Sequence, residues 1–171
     1  QKSLFFSMAD QGFSIGAVFL INLALARTGS KAEYGIFTLT YSMLTFLSGV
    51  HNALILEPYT VFASGTYKHV FRKYLGFVLR WHLLICVLAA AIGLVAVEVA
   101  AYVDSDLYDP TLIALFLSMP LILTAAFFRR TCYVISNPRC AAIMSSIFFA
   151  MVCAILLLIG VVTTLTGFTA F

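Results

Sequence analysis

Apolar residues fill five long stretches of the chain, at about 4–26, 34–62, 74–103, 110–135 and 138–165. Four short polar segments separate them: RTGSKAEYG, ASGTYKHVFRK, VDSDLYDP and SNPR. A hydrocarbon core about 30 Å thick needs roughly 20 residues of helix per crossing. Each stretch is long enough, and apolar residues surround each one rather than forming a single stripe. The pattern predicts an all-α polytopic membrane helix bundle with about five transmembrane helices, filling residues 1–171 as one unit. The connectors carry helix punctuation. Gly29 suits a helix C-terminus. Asp109 can cap the fourth helix with Pro110 in its first turn, and Ser136 or Asn137 can cap the fifth with Pro138 at its first position.

Composition strengthens this reading. The chain is 63% hydrophobic and 10% charged, whereas a soluble domain carries roughly 25% charged residues. Ten Lys and Arg, divided among membrane loops, build no continuous basic face, so nucleic acid is excluded as a partner. Lys2 and the Ala24-Leu25-Ala26 box suggest a signal peptide, but Asp10, Gln11 and Asn22 interrupt its apolar core. The chain opens on Gln1 rather than Met, so further residues are expected before it.

Positive charge predicts the orientation. Lys2, Lys68, Arg72, Lys73, Arg129, Arg130 and Arg139, with Arg80 leaning toward them, fall on one side of a five-span topology. The other side has Arg27 and Lys31, and it carries Asp104, Asp106 and Asp109. The N-terminus is expected in the cytoplasm, the acidic loop outside, and the final TGFTAF outside.

Polar residues within the spans are the candidate functional groups, because an intramembrane ionisable side chain is costly and favours a cavity or a partner. Asp10 lies about 9 Å into the first helix, beside Gln11. His51 and Asn52 fall just past the middle of the second helix. Glu57 and Pro58 lie nearer its end, where Pro58 cannot donate to the Leu54 carbonyl and predicts a kink. Arg80 matches Asp10 and Glu57 in depth, so an ion pair with one of them is expected. Arg129 and Arg130 close the fourth helix, either as positive-inside anchors or as a cationic entry for a phosphate-bearing substrate. Trp81 and His82 suit the headgroup interface, and Glu98 the outer end of its helix. Pro120 predicts a second bend, and Gly12 with Gly16 permits close helix approach.

No nucleophile elbow, zinc-helix motif or phosphate-binding glycine loop occurs, so the chain is not expected to be an enzyme. Energy from ATP would have to come from another chain. Cys86, Cys132, Cys140 and Cys153 show neither metal-ligand nor disulfide spacing and read as packing residues. No metal and no cofactor are expected.

Two segments resemble a known family. Ala26-Arg27, Gly29 and Glu33-Tyr34-Gly35-Ile36-Phe37 are followed by Ala53-Leu54-Ile55-Leu56-Glu57-Pro58-Tyr59 and Val61-Phe62. They resemble the polysaccharide-type (O-antigen and exopolysaccharide) flippases of the MATE-like exporter superfamily. Outside residues 25–65 the resemblance rests on topology and helix lengths. It implies a bacterial inner-membrane protein that moves polyprenyl-pyrophosphate-linked oligosaccharide by alternating access between two lobes. Five spans fall short of a six-helix first lobe, so the chain is expected to be the N-terminal part of a longer transporter, or a truncated relative. Membrane lipids and a remaining lobe or partner membrane protein are then its neighbours. Within this reading Arg80, Arg129 and Arg130 contact pyrophosphate, and His51 and Asn52 contact substrate in the cavity. Asp10 and Glu57 serve as counter-charges or ion-coupling groups. The alternatives are a drug or cation antiporter of the same superfamily, with Asp10 as its ion site, and a non-transporting scaffold subunit of a glycan-synthesis complex.

Overall fold

A computed structural model of the chain describes residues 2–28, 30–103 and 110–168. Gly29, the acidic stretch with Asp104, Asp106 and Asp109, and the terminal 169–171 lie outside the described residues. The described chain is helical: α1 (Lys2–Thr28), α2 (Lys31–His51), a π-helical turn (Asn52–Leu56), α3 (Glu57–Ser64), α4 (Phe71–Val103), α5 (Pro110–Val134) and α6 (Pro138–Phe168). Five stretches are long and apolar enough to cross a membrane: Leu4–Arg27, Glu33–Ser64, Lys68–Val99, Thr111–Val134 and Pro138–Leu158. The chain is a multi-pass membrane protein.

Local chemistry sets the boundaries. The second span begins three residues earlier than the apolar pattern predicts, because Ser30 and Glu33 form a capping box. The Ser30 amide donates to Glu33 Oε2 at 2.7 Å, and the Glu33 amide donates to Ser30 Oγ at 3.3 Å. Two otherwise orphaned donors are thereby satisfied. The third span likewise starts early, since a short 3₁₀ turn at Lys68–Val70 leads directly into α4. Between α5 and α6, Ser136 adopts φ 56°, which reverses the chain ahead of Pro138 at the first position of α6.

The second span is continuous but not uniform. The Glu57 amide donates to the Asn52 carbonyl, one residue further back than in an α-helix. Pro58 follows immediately. Its ring presses on the preceding turn and it offers no amide proton, and the widened turn absorbs that conflict. The irregularity predicted at Pro58 is thus a π-bulge on its N-terminal side.

The helices sort into two compact units, Gln1–Tyr34 with Ile135–Phe171, and Gly35–Val134. In the first unit α1 and α6 run in the same direction. Arg139 covers the Phe6 ring at 5.2 Å, Ser145 meets Asp10, and Phe149 meets Phe13 with ring centroids 5.6 Å apart. Of the two glycines expected to line a close approach, Gly16 faces Phe149, while Gly12 has open space around it. The contact follows Asp10, Phe13 and Ala17 instead, which share one helix face.

In the second unit α4 and α5 are antiparallel, and α3 packs against the start of α4 and the later part of α5. One cluster joins Cys86, Val97, Phe116, Met119 and Leu123. A second joins Leu56, Tyr59, Ala63 and Phe127. Gly93 lets the helices close up, for a Cβ there would run into the Phe116 ring. The buried face of α4 is His82, Cys86, Ala90, Gly93 and Val97, the three-and-four spacing of one helical stripe.

Candidate functional site

The bulge and α4 together build a polar centre in an apolar surround. His51 ends α2 just before the bulge, and His82 lies on the buried stripe of α4. His51 is 7% exposed and His82 1%. His51 Nε2 lies 3.0 Å from His82 Nδ1, with ring centroids 4.9 Å apart. The other nitrogen of His82, Nε2, lies 3.3 Å from Thr124 Oγ1 on α5. One turn along α4, Cys86 Sγ lies 3.6 Å from His82 Nδ1. The nitrogen and sulfur donors of His51, His82 and Cys86 all lie within 4.8 Å of one another.

Aromatic packing holds this centre. Phe127 stacks on the His82 ring with centroids 4.9 Å apart and planes 15° apart, and Tyr59 packs against Phe127 with ring centroids 4.9 Å apart. The Thr131 hydroxyl donates to the Phe127 carbonyl at 2.9 Å, so in the Tyr59–Thr131 contact at 3.1 Å the phenol is the donor. This pairing satisfies a tyrosine hydroxyl that is otherwise buried.

Beside the centre runs an open groove of about 340 Å³ between the bulged part of the second span and α4. Leu54, Ile55, Pro58, Phe77 and Trp81 form its walls, and His82 touches it. Its surface is mostly hydrocarbon and aromatic.

The other predicted residues are distributed more widely. Asn52 donates to Glu57 Oε1 at 3.4 Å across the bulge, on the exposed side. No ion pair joins Arg80 to Glu57 among the described residues, and both side chains are exposed. The physical reason is rotational. Arg80 is two residues before His82, about 200° around the helix, so it points away from the packed stripe. Trp81 is exposed, whereas His82 is buried against the neighbouring helices. Arg129 is half-buried and Arg130 exposed, near the end of α5. Asp10 belongs to the other unit. It is fully buried and accepts a hydrogen bond from the Ser145 hydroxyl.

Sequence reasoning passed over His82, Cys86, Thr124 and Ser145 as site residues. The spacing of His82 and Cys86, four apart on one helix face, was the available signal. Their partner His51 is distant in sequence and gave none.

Comparison with known protein families, with curated proteins and with solved structures finds no match.

Proposed function

We propose that the chain serves in membrane translocation of a lipid-linked oligosaccharide, the polyprenyl-pyrophosphate class, at a bacterial inner membrane with its N-terminus cytoplasmic. The observation that carries this reading is the broken second span. The segment Leu54–Tyr59, which resembles the polysaccharide flippases, coincides with the bulge and lines the groove. Interrupted spanning helices beside a cavity are where transporters commonly place their substrate sites, and π-bulges concentrate at functional positions. The apolar, aromatic groove suits a prenyl chain. Arg80, Arg129 and Arg130, on the paired ends of α4 and α5, suit the pyrophosphate, since guanidinium groups bind phosphate oxygens in charge-assisted pairs.

The test is reconstitution of the chain together with its remaining lobe or partner membrane protein in vesicles with a fluorescent lipid-linked oligosaccharide, scored by loss of its sugar from one leaflet. Translocation above protein-free vesicles is expected. Joint replacement of Arg80, Arg129 and Arg130 by Ala should reduce the rate by about tenfold or more, since a charged hydrogen bond contributes about 1.5–3 kcal/mol. Ion-gradient-driven movement of lipophilic cations without lipid translocation would replace this reading by an antiporter. Neither activity in folded protein would replace it by a scaffold subunit.

A further inference from the structure

We infer that His51, His82 and Cys86 form a binding site for a thiophilic closed-shell metal cation, cuprous copper in preference to zinc. Three features support the assignment. First, the donor atoms converge. A trigonal metal with nitrogen bonds near 2.0–2.1 Å and a thiolate bond near 2.3 Å holds its ligands about 3.5 Å (N to N) and about 3.8 Å (N to S) apart. The structure has 3.0 Å between His51 Nε2 and His82 Nδ1, and 3.6 Å between His82 Nδ1 and Cys86 Sγ. All three donors lie within 4.8 Å of one another, and Cys86 Sγ, which is also 3.8 Å from His82 Nε2, would turn toward Nδ1 as the two rings part slightly around the ion.

Second, the rings are oriented from outside. Metal-bound histidines characteristically donate their other N–H to an acceptor. His82 has such an acceptor in Thr124 Oγ1, and Phe127 fixes the ring plane. With His82 protonated at Nε2 and His51 at Nδ1, the lone pairs of His51 Nε2 and His82 Nδ1 face each other. Without metal, a proton on one of the two nitrogens bridges them at 3.0 Å; with metal, the cation takes the place of that proton.

Third, charge favours the monovalent ion. Binding deprotonates Cys86, whose proton leaves to solvent, and forms two metal–nitrogen bonds and one metal–sulfur bond with no change of oxidation state. One thiolate neutralises Cu(I), whereas Zn(II) would leave a positive charge in an apolar surround, which is costly. Soft thiolate donors select Cu(I) and zinc among biological metals. Three donors are sufficient for trigonal Cu(I), while a structural zinc site takes four. The bound cation would fasten the broken turn of the second span to α4. This assignment is independent of the translocation reading, and its failure would leave that reading intact.

The test uses the detergent-purified chain, titrated anaerobically with Cu(I) against a chromogenic chelator, and separately with Zn(II). About one Cu(I) per chain is expected, with sulfur and nitrogen neighbours in its X-ray absorption spectrum. Cys86→Ser should lose this binding while retaining its thermal unfolding, and the joint change of Cys132, Cys140 and Cys153 to Ser should retain it. Binding that survives in Cys86→Ser, or no stoichiometric binding of either metal to folded protein, would overturn the site. Zinc bound through these residues without copper would overturn the charge argument and the copper assignment with it.

Discussion

His51 Nε2 and His82 Nδ1 approach to 3.0 Å across the break in the second span, with almost no solvent on either ring. Removing one ring leaves the other with an unmet nitrogen in an apolar surround, and an unsatisfied buried polar group costs about 1–3 kcal/mol. His51→Ala and His82→Ala should each destabilise the metal-free protein by that amount. The double variant should cost less than their sum, by an interaction energy of about 0.5–3 kcal/mol. Unfolding in detergent, measured on all four proteins of the cycle, checks this. Additive losses would mean that the two rings do not interact.

Asp10 and Ser145 provide the corresponding contact between α1 and α6. Asp10 is fully buried and accepts from the Ser145 hydroxyl. Ser145→Ala removes one donor from a buried carboxyl group and should cost about 1–3 kcal/mol. Ser145→Thr, which keeps a hydroxyl, should cost less. Equal melting temperatures for wild type and Ser145→Ala would contradict the contact.

Gly93 and Phe116 fix the spacing of α4 and α5. A methyl group at Gly93 would run into the ring, so Gly93→Ala should destabilise by about 1–3 kcal/mol despite the better helix propensity of alanine. Adding Phe116→Leu should recover part of the loss by making room. The readout is the melting temperature of the two variants in one detergent.

The spans were legible in the sequence because crossing a bilayer imposes length and apolarity on every helix. The caps and the break were partly legible, since Pro58 and Pro138 act through local sterics. The pairing of side chains was not. Depth can be counted along a helix, and it placed Arg80 level with Glu57, but depth does not say which way a side chain faces. Which face packs depends on the neighbouring helix. In a span apolar all round, no stripe marks that face beforehand. Two residues of separation therefore decide between exposed Arg80 and buried His82.

Pro58 tests whether the bulge places His51. In Pro58→Ala the new amide can reach the Leu54 carbonyl, and the ring no longer crowds the preceding turn. The extra residue in the turn then has no steric cause, and relaxation to an α-helix turns His51 by about 100° relative to α3. Alanine is intrinsically better in a helix than proline by about 3 kcal/mol, so the variant should remain folded. Its His51–His82 interaction energy, measured by the same cycle in the Pro58→Ala background, should fall toward zero. An unchanged value would show that packing of Leu56 and Tyr59 against Phe127 holds the bulge without the proline. The cause would then lie in the tertiary contacts rather than in the local sequence.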